Sequence, residues 1–382
     1  MFWIMAGNEQ RKSKTTEQHR GREGTVPEWN GEILAWYPQH KRDLPWRRDR
    51  DPYHVWISEI MLQQTRVAAV IGYYERFMRE LPDIEALASV EDDRLMKLWE
   101  GLGYYNRARN LKRAAAMILD RFHGQFPSEP EEIRSLPGIG DYTAGAIASI
   151  CFGKATPAVD GNVLRVYTRL TADPSCIDLD ATKKKVRQDM TRLYEEAEPE
   201  DRSLLTQGWM ELGATVCVPN GAPLCTECPL AESCRAHQTG KTDDFPVRAE
   251  KKKRRIEERT VFVLLCDGRV AMHKRPKKGL LAGLWEFPGV EGRLSVGEAL
   301  ERAEAWGFAP SSPWMELPYT HIFSHVEWHM HAFFIHCECM IDESKEIGGI
   351  TWFLRKELEE SAAVPSAFRP FRNLLKSGEG LS

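Results

Sequence analysis

Length, composition and charge set the first limits on this chain. It has 382 residues, too many for one ordinary domain and few for three, so we expect two domains with separate hydrophobic cores. Hydrophobic residues make up 42% and charged residues 28% of the chain, which excludes disordered and fibrous proteins. The formal net charge of -4 argues against attraction of the whole surface to nucleic acid, although one basic face would suffice for binding.

No segment resembles an export signal or a membrane span. The opening MFWIMAGNEQRK has a short apolar start without a basic segment before it, and no later run reaches the length of a membrane helix. We therefore predict a cytoplasmic protein that has no contact with membranes.

The first half of the chain has helical periodicity. The stretch WISEIMLQQTRVAAVIGYYERFM, which begins at Trp56, predicts a single amphipathic helix with Glu59 off its main apolar face. Further helices are predicted at 92–100, 107–122, 130–135, 142–152, 162–171 and 181–196.

Near residue 245 the pattern changes to short β-rich runs. The stretch TVFVLLCDGRVAMHKRP predicts a hairpin around its Asp-Gly pair. A helix near 296–306 and strands around 314–340 follow, so the second half is α+β.

We predict a disordered tail at 1–27, a helical domain at 28–240, a basic linker at 241–259 and an α+β domain at 260–376. The linker contains VRAEKKKRRIEER, typical of a solvated segment.

Four cysteines lie close together in CVPNGAPLCTECPLAESC. Their spacing lets the thiolates converge on one centre, either tetrahedral zinc or an iron-sulfur cluster. A disulfide framework is disfavoured because the chain is large and has no export signal. The predicted ligands are Cys217, Cys225, Cys228 and Cys234.

The stretch LPGIGDYTAGAI contains a glycine-rich turn between two predicted helices. Gly138 and Gly140 free their backbone amides for close approach by an anion, and the following helix directs its positive dipole end the same way. The turn is therefore suited to bind a phosphate. A plain connection between helices, which glycine also favours, is the alternative.

Two carboxyl groups stand out as acid and anion. Asp160 lies just before a predicted helix, where the helix dipole is expected to lower its pKa, and an N-cap role is compatible with this. Glu59 lies on a mostly apolar helix, and burial would raise its pKa towards neutrality. Glu59 is thus the candidate proton donor and Asp160 the candidate anion.

Taken together, the glycine-rich hairpin, the aspartate after it and the four cysteines resemble the DNA glycosylase superfamily that includes endonuclease III. Within it, LPWR at 44–47, SEIMLQQTRV at 58–67, WEGLGYYNRARNL at 99–111 and VDGNV at 159–163 are similar to the MutY family of adenine DNA glycosylases. The resemblance runs from about residue 28 to the C-terminus. It implies a [4Fe-4S] cluster on the four cysteines, although this chain has seven residues between the first two cysteines where the family usually has six.

The resemblance also implies roles for individual residues. Glu59 would protonate the departing adenine, Asp160 would stabilise the oxocarbenium-like sugar, and Tyr142 and Asn162 would orient groups around it. Trp46 and Arg47 would line the adenine pocket. The residues expected around the opposite base are Gln64, Thr65, Leu102 and Tyr104, with core packing as the alternative for the apolar ones.

The second half resembles the Nudix-like C-terminal domain of the same family, mainly through GLWEFPG at 283–289. In LERAEAWGF at 300–308, leucine and alanine replace the arginine and last glutamate of a working Nudix site, so we expect no phosphohydrolase activity. In HIFSH at 321–325, the family pattern places Ser324 against the 8-oxoguanine edge, with His321 beside it.

The resemblance implies a monomeric, nucleoid-associated enzyme of base excision repair. Its substrate would be double-stranded DNA with adenine opposite 8-oxoguanine or guanine, and it would hydrolyse only the base-sugar bond. Endonuclease III-like enzymes have a lysine where this chain has Tyr142, and tyrosine cannot form their Schiff base. The alternatives are a bifunctional glycosylase and lyase, or a non-catalytic module that binds damage.

Overall fold

The fold is described from a computed structural model, which covers residues 28–250, 253–338 and 349–377. The predicted tail at 1–27 lies outside these residues. The helical first half consists of α1 (Trp29–His40), α2 (Pro52–Leu62), α3 (Val67–Glu80), α4 (Ile84–Ser89), α5 (Asp92–Leu98), α6 (Asn106–Phe122), α7 (Pro130–Ser135), α8 (Asp141–Phe152), α9 (Gly161–Thr171), α10 (Asp180–Glu195), α11 (Pro199–Thr215) and α12 (Arg235–Gln238).

The second half is built on a mixed sheet. Its elements are β1 (Arg255–Cys266), β2 (Arg269–Lys274), β3 (Trp285–Glu286), β4 (Gly289–Glu291), α13 (Val296–Ala305), β5 (Ala309–Pro310), β6 (Met315–Ile322), β7 (Val326–Glu338), β8 (Ile350–Leu354), α14 (Arg355–Glu360) and α15 (Arg369–Ser377). The central strand β1 pairs in parallel with β7 and antiparallel with β2 and β4, while β6 pairs with β7 and β8 with β2. The predicted order of a helical domain and an α+β domain is confirmed.

The predicted hairpin is also confirmed. Asp267 and Gly268 join β1 to β2 with φ angles of 47° and 74°, as a two-residue turn with both central residues left-handed requires. Within the described ranges, no helix is long and apolar enough to cross a membrane.

The single helix predicted from Trp56 is wrong, because the structure has two helices there. α2 ends at Leu62, and α3 begins at Val67. Gln64 between them has a φ of 58°, which an α-helix does not contain. The apolar spacing continues across the break because both helices pack on the same core, so periodicity alone hides it.

The two domains have separate hydrophobic cores that meet at an apolar contact, together with several polar contacts. Leu284 and Ala363 of the second domain belong to the main core of the helical domain. Lys97 donates to the carbonyl of Ala362 at 3.0 Å, and Glu100 accepts from the backbone N–H of Val364 at 3.1 Å. The second domain is therefore packed directly on the first.

Gly145 lets helix α8 approach the segment that leads to Asp160. A Cβ atom there would lie 2.5 Å from the carbonyl oxygen of Pro157, closer than atoms tolerate. Because Gly145 has no side chain, α8 packs closely on this segment, and Asp160 at the end of the segment therefore lies near the residues of α8.

We expect Gly145→Ala to destabilise the protein by about 1–3 kcal/mol, because the added methyl group overpacks a backbone contact. Gly72→Ala is the matched control: this glycine is exposed on α3 with no atom within 4 Å of its Cβ position. That control should gain roughly 0.5–1 kcal/mol from helix propensity. Urea unfolding followed by circular dichroism measures both changes, and equal effects would contradict the close approach.

Candidate active site

The glycine-rich hairpin places Tyr142 in the first turn of α8. Gly138 has a φ of 81°, and a Cβ atom there would lie 2.6 Å from the Cβ of Asn110, so no other residue fits without rearrangement. Gly140 precedes α8, and Asp141 pairs at 2.7 Å with Arg134 of α7. This ion pair joins the two helices of the hairpin.

Glu59 is buried on α2 and hydrogen bonded to Tyr142. Its side chain is 7% exposed, and its Oε2 accepts a hydrogen bond of 2.7 Å from the Tyr142 hydroxyl. Burial raises the pKa of Glu59 to about 7, the charge of Asp160 adds to the rise, and the bond from Tyr142 opposes it. The predicted upward shift is confirmed, so this carboxyl group can hold a proton near neutral pH.

Asp160 is the N-cap of α9. Its Oδ1 accepts from the backbone N–H groups of Asn162 at 2.9 Å and Val163 at 2.8 Å, and its Oδ2 accepts from the Asn162 amide at 2.8 Å. The predicted lowering of its pKa is wrong. Burial raises the pKa of Asp160 more than these bonds lower it, because the side chain is withdrawn from water as well as capped.

One cavity of about 490 Å³ brings the two carboxyl groups together between α2, α8, α9 and α11. Six further predicted residues line the same cavity, namely Trp46, Arg47, Gln64, Thr65, Tyr142 and Asn162. The predicted residues among them lie up to 116 positions apart in sequence, from Trp46 to Asn162, and share this one site. A buried acid, a capped aspartate and an aromatic ring facing one space can hold a flat molecule and protonate it.

Helix α11 contributes residues that the sequence analysis missed. Gln207, Met210 and Glu211 line the cavity. Glu211 is fully buried and accepts from Arg42 Nε and Arg47 Nη2, both at 2.7 Å. Burial alone would raise the pKa of Glu211, but the two arginines lower it to about 2. Glu211 is therefore an anion that holds Arg47 at the cavity wall. No comparable local signal marks Glu211, because α11 also carries Glu200, Asp201 and Arg202 and the arginine partners of Glu211 are distant in sequence.

A second cavity of about 690 Å³ lies between the two domains. Among its lining residues are Gly138, Tyr104, His321 and Ser324. The hydroxyl groups of Tyr104 and Ser324 are 2.7 Å apart, and burial lowers the pKa of His321. Leu102 does not line either cavity: it is 6% exposed and packs in the helical core, which agrees with the core-packing alternative.

The four clustered cysteines line one small cavity beside α9. This cavity of about 30 Å³ contacts Cys217, Cys225, Cys228 and Cys234, all half-buried and not disulfide bonded. Arg169 of α9 donates to Cys217 Sγ at 3.3 Å. Among the described residues, these cysteines included, no three Cys, His, Asp or Glu side chains are arranged to hold a metal ion.

Two family models match the chain. Residues 57–196 match the HhH-GPD superfamily of base excision DNA repair proteins, and residues 260–374 match the NUDIX domain. The first match contains Glu59, Tyr142 and Asp160, and the second contains His321 and Ser324.

Curated relatives and solved structures give similar results. Adenine DNA glycosylase of Homo sapiens is 35% identical, with 91% of this chain and 74% of that protein covered. The Schizosaccharomyces pombe adenine DNA glycosylase is 30% identical, with 92% and 90% covered. The structure of a thermostable thymine-DNA glycosylase superposes with a TM-score of 0.50 and 28% identity, covering 55% of this chain and 95% of that one.

Similarity to the curated relatives thus extends over both domains and most of each relative's length. The chain belongs to the adenine DNA glycosylase family of base excision DNA repair.

Proposed function

We propose that this glycosylase removes adenine paired with 8-oxoguanine or guanine in double-stranded DNA, as a monomer and by hydrolysis of the N-glycosidic bond alone. A protein with this substrate acts on the chromosome, at the nucleoid of the cytoplasm. The observation that carries the proposal is the buried Glu59–Tyr142 pair in one cavity with Asp160. Glycoside hydrolysis requires two groups at one bond: a proton donor for the leaving group and an anion for the positive charge that develops on the sugar.

Glu59 supplies the proton. Adenine is a poor leaving group as an anion, and protonation by Glu59 lets it depart as a neutral base. The pKa of about 7 keeps a large share of Glu59 protonated at physiological pH. Because the acid is buried, the adenine must leave the base stack and enter the cavity, as bases do in other glycosylases.

Asp160 faces the sugar. As adenine departs, positive charge develops on the sugar ring, and a carboxylate held by Asn162 and Val163 stabilises that charge without moving. The amide of Asn162 holds the other carboxylate oxygen. Trp46 and Arg47 form the wall against which the base lies, and Arg47 is held there by Glu211.

Tyr142 restricts the chemistry to hydrolysis. Its hydroxyl is bonded to Glu59 and occupies the position where endonuclease III-like enzymes carry the lysine of the lyase reaction. Among the described residues that line this cavity there is no lysine. Without an amine near the sugar, no Schiff base forms and the strand stays intact.

The pH dependence of adenine release tests the acid. Since only protonated Glu59 is competent, the single-turnover rate should fall as the pH rises through about 7.

Glu59→Gln should lower the rate by at least about a hundredfold while DNA binding persists. Tyr142→Phe removes a bond that lowers the pKa of Glu59, so the alkaline fall should move to higher pH.

These rates are measured on an A:8-oxoguanine duplex as free adenine, with strand cleavage scored before and after hot alkali. Parent enzyme should yield strand breaks only after alkali. A near-normal rate for Glu59→Gln would refute its role as proton donor, and breaks without alkali would refute the restriction to hydrolysis.

The second cavity is proposed to read the base opposite adenine. Ser324 and His321 of the second domain and Tyr104 of the first face this space together, where polar groups can contact the 8-oxo group and the N7 hydrogen that guanine lacks. Gln64 and Thr65 line the neighbouring catalytic cavity and fill the duplex from the other side. The first domain thus performs the chemistry and both domains recognise the pair.

Replacement of Ser324 together with His321 by alanine should reduce discrimination between 8-oxoguanine and guanine. A hydrogen bond to a base edge contributes roughly 1–3 kcal/mol, so the ratio of rates should fall about tenfold or more. Excision opposite guanine should barely change, because guanine never offered the contact. Ser312→Ala, an exposed serine outside both cavities, is the control, and equal losses on both duplexes would contradict the reading role.

The glycine-rich hairpin is proposed to hold a DNA phosphate. Gly138 and Gly140 are exposed and adjoin the N-terminus of α8, where backbone N–H groups and the helix dipole favour an anion. Gly138 also lines the cavity between the domains. A phosphate gripped there would hold the strand beside both cavities.

We further propose a [4Fe-4S] cluster on Cys217, Cys225, Cys228 and Cys234. The residues fit the group: four thiols face one mainly apolar cavity, and Arg169 supplies positive charge beside them. When bound, the cluster would cross-link the loop after α11.

Purified protein should be yellow-brown and contain about four iron and four sulfide per chain. Cys228→Ser should lower the iron content, because one ligand is lost. Cys176→Ser, a half-buried free cysteine outside this cavity, should leave the iron content unchanged. Elemental analysis that found zinc in place of iron would refute the cluster.

A further inference from the structure

Arg107, the second residue of α6, binds the carboxyl end of α2. Its Nη1 donates to the carbonyl oxygens of Ile60 at 2.6 Å, Met61 at 3.1 Å and Gln63 at 2.7 Å. These carbonyls belong to the last turn of α2 and to the residue after it, where the chain leaves the helix. The cation therefore caps α2 at the negative end of its dipole.

The same guanidinium binds a second loop. Its Nη2 donates to the carbonyl oxygens of Leu102 at 3.0 Å and Gly103 at 3.2 Å. The guanidinium carbon also lies 5.6 Å from the centre of the Tyr104 ring. One planar group thus joins the loop that carries Gln64 and the loop that carries Tyr104.

Both loops have a backbone that needs support. Gln64 and Tyr104 have φ angles of 58° and 47°, and this left-handed conformation is unfavourable for a residue with a side chain. In each loop, the carbonyl immediately before the strained residue, that of Gln63 or Gly103, accepts a bond from Arg107. The guanidinium is therefore placed to offset the strain at both positions.

The charge of Arg107 is retained despite partial burial. Burial lowers its pKa to about 10, which still leaves it protonated at neutral pH. Its two terminal nitrogens face five carbonyl oxygens, three of one loop and two of the other, while Nε has no hydrogen-bond partner. A lysine offers one nitrogen, which cannot reach both loops with the same geometry.

We propose that Arg107 is a positioning residue for discrimination of the base opposite adenine. By tying the two loops together, it fixes the spacing between Gln64 and Tyr104, so that both meet the opposite base in one arrangement. Tyr104 in turn contacts Ser324 of the second domain, which extends the arrangement across the cavity. The inference rests on the proposed function, in which these residues surround that base.

The test compares Arg107→Lys and Arg107→Ala with Arg202→Ala. Arg202 is a matched control, because its guanidinium also bonds backbone carbonyls, those of Tyr194, Ala197 and Gly153, but lies outside both cavities. Single-turnover adenine release is measured on A:8-oxoguanine and A:guanine duplexes, together with thermal unfolding of each variant. Parent enzyme provides the reference ratio.

Arg107→Lys should fold. It should lower the ratio of the A:8-oxoguanine rate to the A:guanine rate about tenfold, since the loss falls on the A:8-oxoguanine duplex, which uses both loops. Methylguanidinium should partly restore the ratio in Arg107→Ala. Arg202→Ala should lose thermal stability with the ratio unchanged.

An unchanged ratio in Arg107→Lys, or equal losses on both duplexes, would overturn the positioning role while the proposed substrate preference stood. If Arg107→Ala fails to fold, the lysine variant decides alone. Parent enzyme that released adenine equally from both duplexes would overturn the substrate preference, and this inference with it.

Discussion

The structure depends on keeping one carboxylic acid away from water without leaving it unbonded. Glu59 is buried among the apolar residues of α2 and accepts its hydrogen bond from Tyr142 of α8. Burial without a hydrogen-bond partner would raise the pKa of Glu59 further, and exposure to water would return it to its ordinary value. Burial together with the bond from Tyr142 gives a pKa of about 7. The hairpin before α8 places Tyr142 in the first turn of that helix, and the close approach at Gly145 brings the segment before Asp160 near the same helix.

Three carboxyl groups line the same cavity in three different environments. Glu211 is fully buried, yet two arginines lower its pKa to about 2. Glu59 has one phenol as its partner, and burial prevails, raising its pKa to about 7. Asp160 has a helix N-terminus and an amide, and its pKa is raised as well. Partners rather than residue type therefore decide which group is a fixed anion and which an acid.

The second domain packs directly on the helical domain and forms part of its core and of one cavity. It contributes Leu284 and Ala363 to the first domain's core, and the cavity between the domains takes residues from both. Arg107 links the rim of the catalytic cavity to the rim of this second cavity. If the two cavities act as proposed, these backbone contacts connect the site of the chemistry with the site that recognises the opposite base.

The sequence by itself determined the features that rest on neighbouring residues. The Asp-Gly hairpin, the helix start at α8, the order of the two domains and the cysteine cluster all follow from local spacing. The upward pKa shift of Glu59 was predicted on the condition that its side chain is buried, and the structure meets that condition.

Only the tertiary structure decided the features that rest on distant contacts. The break after α2 is invisible to periodicity, since both helices pack on one core and the carbonyls at the break are capped by Arg107, 47 residues beyond Ile60. Glu211 was missed because its arginine partner Arg42 is 169 residues away. The pKa of Asp160 was wrongly predicted because the helix dipole is local, whereas burial is set by every element packed around it.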